Sequence, residues 1–460
     1  MAILLTHGYF LEEDAHERAI MRPYPPLGLL YLSAYLKSKG FHAHVLDNTF
    51  RRREQFASEI KRRMPSVVGI YSNLMTRVSV LQLIRCCRSL GLPVVVGGPD
   101  PANYPADYLE HGADVVVIGE GEKPLEELLP LFEQEKAGDF ERVNGILFKR
   151  GDDIVRTPPR QDLLALGELP FPDRSSIRVE DYLQVWRKHH GMGAVSLVTS
   201  RGCPYTCTWC SHSVFGYTYR LRKPAGVADE VEQIVAAYHP DMLWYADDVF
   251  TLNHRWLNEY SRELRRRNLR IPFETISRED RLDEEVVRTL AEMGCFKLWI
   301  GAESGSQAVL DAMSRRTDAA RVPEVVRLLR RYGIQTGLFI MFGYEGEELE
   351  DIEATLEMLK ACNPDSFLTT VAYPIKGTPY YDLVADRIIS GKPWAEGSDR
   401  DFTVRGRHSK RFYGFVNHWI VGEMARHRYR GDRNYVKRAK GVVRAKLGRL
   451  GMALTRGERM

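Results

Sequence analysis

Short apolar runs alternate with helical patterns along almost the whole chain, and that alternation constrains the fold more than any other feature. Residues 1–135 hold five such runs: Ile3 to Thr6, His42 to Leu46, Ser66 to Tyr71, Pro93 to Val96 and Val115 to Ile118. Helical spacing follows them, and the helix Leu27 to Lys39 is closed by Gly40. Repeated strand–helix units with short connections predict an α/β class, with a parallel sheet covered on both faces. Ligands of such sheets sit beyond the carboxyl ends of the strands. The loops there are glycine-rich: Gly97-Gly98-Pro99 after the fourth run and Gly119-Glu120-Gly121 after the fifth. Glycine lets backbone approach a ligand closely, although any tight turn uses it too.

Residues 136–190 read as a connector. Val143 to Lys149 and Asp153 to Thr157 suggest a hairpin turning at Gly151-Asp152, and Leu169 to Arg174 is an extended segment with two prolines. From Ala194 the alternation resumes. Strands are expected at 194–199, 242–246, 271–275, 296–301, 335–342 and 366–372, with helices near 225–238, 254–267, 283–293, 318–332 and 347–361. This second domain spans 191–400, and a helical region, 401–460, follows.

The loop after the first of these strands carries Arg-Gly-Cys-Pro-Tyr-Thr-Cys-Thr-Trp-Cys-Ser-His, with Cys203, Cys207 and Cys210 spaced C-x3-C-x2-C. Three thiolates so close in sequence suit three corners of an iron–sulfur cubane, and with no fourth ligand nearby one iron stays open to a small molecule. A partial zinc knuckle or buried apolar cysteines are the alternatives. Zinc sites favour paired C-x2-C units, and the second pair is missing. Cys86, Cys87, Cys295 and Cys362 are scattered.

The cysteine motif, with Trp209 before its last cysteine, resembles that of the radical S-adenosylmethionine (radical SAM) enzymes, and the likeness runs from about Val195 to about Asp386. The resemblance implies a partial (β/α)6 barrel with its chemistry at the carboxyl ends of the strands. It implies a [4Fe-4S] cluster on Cys203, Cys207 and Cys210. The open iron would bind S-adenosylmethionine, whose reductive cleavage releases a 5′-deoxyadenosyl radical. Further roles follow by position. Asp247 or Asp248 would hold the methionyl ammonium, or else cap a helix. Arg278 would pair with the methionine carboxylate, or form a surface ion pair. Glu303, beside Ser304, would hydrogen-bond the ribose, or lie in a solvent-facing turn. Gly343-Tyr344-Glu345-Gly346-Glu347 departs from the family's Gly-x-Pro-Gly-Glu by placing Glu345 where proline is expected. Tyr373, Tyr380 and Tyr381 line a substrate opening or simply pack.

The order Pro25-Pro26-Leu27-Gly28, Leu46-Asp47, Gly97-Gly98-Pro99, Ile118-Gly119-Glu120-Gly121 resembles the Rossmann-like (flavodoxin-like) cobalamin-binding domain that precedes many radical SAM domains. The same fold without its ligand, or with a nucleotide, is the alternative. The chain lacks the Asp-x-His-x-x-Gly motif of proteins that ligate cobalt by histidine. The resemblance is therefore to the subgroup without that ligand, with Ser72, Asn73 and the residues to Met75 as candidates to shelter the cobalt. The implied activity is modification of an unactivated carbon, most often by methyl transfer through methylcobalamin. Oxidative cyclisation or ring rearrangement within the same branch is the alternative, and a non-catalytic iron–sulfur or zinc module is the rival from another class. A methylthiotransferase would carry extra N-terminal cluster cysteines, and residues 1–85 have none.

Length, 460 residues, suits two domains, and 44% hydrophobic with 27% charged residues is ordinary for a soluble protein. No run of 18 apolar residues exists, the N-terminus lacks a signal-peptide pattern, and seven cysteines make no disulfide framework, so a reducing cytoplasm is expected. Net charge is +4, but residues 401–460 hold 16 Lys and Arg against 4 Asp and Glu, a local +12 on a body of −8. Within this tail Val436, Ala439, Val443, Leu447, Leu450 and Leu454 recur at three- and four-residue intervals among basic residues, interrupted by Gly441, Gly448 and Gly451. That pattern fits a docked helix with a solvated face, an anionic membrane surface on the inner side of the membrane, or non-specific nucleic-acid binding. No sequence-specific nucleic-acid partner is expected. The expected partners are a small-molecule or lipid-like substrate and an electron donor such as flavodoxin or ferredoxin.

Overall fold

The structure, a computed structural model, describes residues 2–134, 137–429 and 435–460. The boundary expected at 135–136 and tail residues 430–434 lie outside the described residues. The chain divides into two compact units: residues 1–204, 211–244 and 392–400, and residues 205–210, 245–391 and 401–460.

In the first unit, β1 (Ala2–His7), β2 (His42–Leu46), β3 (Val67–Tyr71), β4 (Val94–Gly97) and β5 (Val115–Val117) form parallel ladders. The order β2-β1-β3-β4-β5 is the flavodoxin-like one, with its reversal between β1 and β3. Period-two alternation sends Leu4, Val68, Ile70, Val94, Val96 and Val116 to one core and Ile3, Leu5, Val67, Val95, Val115 and Val117 to the other. Both faces of the central strands β3, β4 and β5 are largely buried, so these read as apolar runs, whereas the edge strand β2 exposes His42 and His44. The hairpin β6 (Ile146–Arg150) and β7 (Asp153–Arg156) joins this sheet as an antiparallel edge, pairing Ile146 with Val117. Gly151 takes φ +58° at the turn, a conformation that suits glycine.

Residues 392–400 return to this unit through a buried ionic cluster. The Arg77 guanidinium donates to Asp100 at 2.7 and 2.9 Å and to Asp399 at 2.7 Å. It lies 4.4 Å from the ring centroid of Tyr104 and 5.0 Å from that of Trp394. Tyr108 donates to Asp100, and Tyr104 to Asp399. All three charged side chains are buried.

A second sheet has six strands in the order β15-β14-β13-β12-β11-β8. They are β8 (Ala194–Leu197), β11 (Met242–Tyr245), β12 (Phe273–Ser277), β13 (Cys295–Glu303), β14 (Gln335–Phe342) and β15 (Ser366–Val371). The ladders from β12 to β15 are parallel, and six strands with intervening helices fit the expected partial barrel. β13 outruns its expected 296–301 at both ends, and its register shifts between Gly301 and Glu303. Asn253 and Asp283 cap the helices His254–Arg266 and Glu284–Met293 by accepting from Trp256 and Val286 amides, which fixes where each strand-end loop stops.

The helices Lys410–Arg428 and Tyr435–Thr455 close the second unit, running in opposite directions. The tail glycines do not interrupt the last helix, contrary to the sequence expectation. They are its docking face: a Cβ on Gly448 would stand 2.5 Å from the Trp419 amide, and one on Gly451 2.2 Å from the Phe415 ring. Close backbone approach offsets the propensity cost of glycine, about 1 kcal/mol each.

Candidate active site

The cysteine loop hangs from a two-residue antiparallel ribbon, β9 (Ser200–Arg201) with β10 (Arg220–Leu221). Gly202 is required at its base, because φ is +86° and a Cβ would meet the Thr218 carbonyl oxygen at 2.3 Å. Within the first unit Arg201 donates to Glu120 at 2.8 Å and to Glu122 at 2.7 Å, and Arg220 also pairs with Glu120. The carboxylate of Glu120, a candidate for binding a ligand, is thus engaged by the base of the cysteine loop.

Cys203 is half-buried and belongs to the first unit; Cys207, buried, and Cys210, exposed, belong to the second. None of the three forms a disulfide, and the Cys210 amide donates to the Cys207 carbonyl at 3.2 Å. In the second unit the segment around Cys207 is held from three sides. The Thr208 amide donates to the Met313 carbonyl, and the Thr208 carbonyl accepts from the Tyr380 amide. Trp209 packs against the apolar cluster of Val309, Met313, Tyr344 and Tyr380. The Arg278 guanidinium lies 3.7 Å from the Tyr205 ring centroid, with Nη1 3.8 Å from the Cys207 sulfur.

Arg278 also donates to Asp280 at 2.9 and 3.3 Å and to the Arg315 carbonyl at 2.9 Å. Asp280 and Glu279 raise its pKa against the opposing effect of burial. Arg278, Glu279, Arg315 and Glu303 form a charged cluster at the carboxyl ends of β12 and β13, with Arg315 3.2 Å from Glu279. Glu303 sits at the β13 bulge with φ +61°, and burial pushes its carboxyl up to about 7, with Glu279 adding to the shift and Arg315 opposing it. Ser304 is buried, and its hydroxyl hydrogen-bonds Thr355 at 3.1 Å. After β11, Asp247 is buried and Asp248 exposed. Glu345 pairs with Arg387 at 3.1 Å where the family motif has proline, while Glu347 accepts from the Gly343 amide. Tyr380 is buried and stacks on Tyr344 at 4.6 Å, a packing role. Tyr205, Glu279 and Arg315 escaped sequence reasoning. Tyr205 lay inside the motif and could have been noticed; Arg315, far along the chain, gave no signal.

In the first unit the carboxyl edge joins Ser72, Gly97 and Gly98. The Ser72 amide donates to the Gly97 carbonyl at 2.9 Å. Gly98 has φ +112°, and a Cβ there would meet the Ser72 carbonyl oxygen at 2.3 Å. Pro99 opens the short helix that follows. The Ser72 hydroxyl is buried against Tyr108 at 2.8 Å, and Asn73 accepts from the Met75 amide in a turn. Gly119 has φ +91°, and Gly121 lies against Leu32. Both ring nitrogens of His7 are engaged, Nε2 with Asp47 at 3.0 Å and Nδ1 by the Tyr9 amide at 3.1 Å.

These residues fit the groups expected of them. Cys203, Cys207 and Cys210 supply the type and number of donors that a cubane with one open iron takes. Among the described residues no three His, Cys, Asp or Glu side chains converge on a single metal ion; a cubane takes each thiolate on a different iron. Buried Glu279 Oε1 and Arg315 Nε have no partner, which suits a polar ligand at the barrel strand ends. Tyr71, Met75 and Val78 leave apolar surface exposed after β3, as a flat macrocycle would need.

Residues 20–129 match the B12 binding domain, and residues 197–359 match the radical SAM superfamily. The chain is 26% identical over 407 residues to an uncharacterized methyltransferase of Pyrococcus horikoshii, covering 86% of each protein. It is 27% identical to the anaerobic magnesium-protoporphyrin IX monomethyl ester cyclase of Cereibacter sphaeroides, covering 84% of this chain and 64% of that one. Among solved structures it is similar to TsrM, a radical S-adenosylmethionine methyltransferase from Kitasatospora setae with cobalamin and a [4Fe-4S] cluster bound. The TM-score is 0.70 at 24% identity, over 84% of this chain and 74% of TsrM. A B12-binding domain followed by a radical SAM domain places this protein among the cobalamin-binding radical SAM enzymes.

Proposed function

We propose that this enzyme transfers a methyl group to an unactivated carbon of a small or lipid-like molecule. The observation that carries the reading is the B12-binding domain that precedes the radical SAM domain, in a chain that matches a methyltransferase relative over 86% of both lengths. Oxidative cyclisation is the second reading, favoured by the cyclase relative.

Residues 1–135 would hold cobalamin, and residues 191–400 the cluster and S-adenosylmethionine, joined by the connector 136–190. When bound, the cluster supplies the electron that cleaves S-adenosylmethionine, and cobalamin supplies the methyl group. The chain's own part is placement. Cys203, Cys207 and Cys210 would hold the cluster, with the Arg278 guanidinium placed 3.8 Å from the Cys207 sulfur. Asp247 or Asp248 would accept from the methionyl ammonium, Arg278 would pair with the methionine carboxylate, and Glu303 would accept from a ribose hydroxyl. Gly97, Gly98 and Gly119, with the exposed apolar surface of Tyr71, Met75 and Val78, would hold the corrinoid. The electron donor is of the flavodoxin or ferredoxin kind. A membrane-surface contact on the inner face, through the basic last helix, completes the proposed partners.

The test is anaerobic reconstitution with iron, sulfide and a corrinoid, followed by S-adenosylmethionine carrying a labelled methyl group. Bound corrinoid in the visible spectrum and label on the corrinoid under reduction are expected. A protein that cleaves S-adenosylmethionine but binds no corrinoid would remove methyl transfer; bound corrinoid that never takes up label would favour cyclisation.

A further inference from the structure

The helix Tyr435–Thr455 is amphipathic twice over. Its buried side is Gly441, Ala445, Gly448, Gly451, Met452 and Thr455, the side that meets Lys410–Arg428. Sequence periodicity marked a different side, and that side stays uncovered: Val436, Val443, Leu447, Leu450 and Leu454 are each 56–75% exposed. At 3.6 residues per turn these five fall within an arc of about 60°. Lys440 and Arg444 border one edge of that arc and Lys446 the other, all exposed. The helix carries six Lys and Arg and no Asp or Glu.

We propose that this face lies flat on an anionic lipid surface, with the five aliphatic side chains in the acyl boundary and the flanking Lys440, Arg444 and Lys446 among acidic headgroups. The proposal rests on the membrane contact put forward above, and not on the chemistry of the site. Two physical arguments select the occupant. A helix folding back on its own chain would not leave so continuous an aliphatic stripe in water, since the glycine side already makes the intramolecular contact. A second copy of the same face would set like charges together without one acid in the helix to neutralise them, whereas acidic headgroups complement them. Glycine docking also frees the long side chains for the outside, because the helix needs none of them to hold its place.

Vesicle sedimentation of the full-length protein tests this, using phosphatidylcholine alone or mixed with phosphatidylglycerol, at low and high salt. Binding to the mixed vesicles, little to neutral ones, and weakening by salt are expected. Leu447→Glu with Leu450→Glu should cut the bound fraction at least about tenfold, and Lys440→Glu with Arg444→Glu similarly. Both sites are exposed, so the melting temperature should not move; it is measured to show that the variants fold. No binding to either vesicle would remove the membrane contact itself. Binding that survives Leu447→Glu with Leu450→Glu would leave a contact but remove this face. Equal binding to neutral vesicles would overturn the acidic-headgroup requirement. A concentration-dependent dimer that the leucine variant abolishes, without vesicle binding, would make a second copy the occupant.

Discussion

Arg278 concentrates several demands in one side chain: a ring to stack on, a carboxylate to pair with, a carbonyl to donate to and a cysteine sulfur beside it. Only a planar guanidinium meets all four. The motif around it was legible because thiolate spacing is local chemistry. Its neighbours Glu279 and Arg315 were not, because strand-end loops distant in sequence bring them together. Replacing Cys207 by Ala should abolish bound iron after reconstitution, whereas Cys295→Ala, at a buried thiol whose pKa burial raises, should retain it; iron and sulfide content measure both. Glu303 gives a pH prediction. Its carboxyl is raised from 4.5 to about 7, so the folded protein keeps a proton that the unfolded chain has lost. The stability this confers is complete below pH 4.5 and is lost as the pH rises through 7. Glu347, raised to about 8, adds the same sign. Glu303→Gln should therefore flatten the fall in denaturant-measured stability between pH 5 and pH 8, by at most about 3 kcal/mol.

At the scale of elements, strand positions followed from apolar runs, since strands buried on both faces leave no polar residue to blur them. The end of β13 did not: its bulge and the positive φ of Glu303 arise where the strand meets its neighbour. The last helix is the sharper case. Its stripe of Val436 to Leu454 was evident from period, and the usual rule would send that stripe to the core. Gly441, Gly448 and Gly451 went there instead, because positions without a side chain let the backbone at Trp419 and the Phe415 ring of the facing helix come close. Gly448→Val should thus cost about 2–3 kcal/mol through overpacking against Trp419, seen as a lower melting temperature. Gly457→Ala, with open space around it, should be silent.

At the scale of the whole molecule, Arg77 and Asp399 are joined across 322 positions of sequence. The pair brings residues 392–400 back to the first unit after the chain has built most of the second. Arg77→Met would leave Asp100 and Asp399 buried beside each other without a cation, at a cost of about 3–5 kcal/mol. Limited proteolysis should then cut within 392–400 faster than in the parent, and equal cleavage rates would count against this role. The sequence by itself determined the class of both sheets, the cysteine motif and the basic amphipathic tail, because periodicity and thiolate spacing are properties of neighbouring residues. Tertiary structure alone decided that Glu120 grips the base of the cysteine loop, that Arg278 stands beside Cys207, and that the tail docks through glycine and leaves its leucines outside. Those outcomes depend on which surfaces meet, and the energies of burial and close approach that select them belong to pairs of segments far apart in the chain.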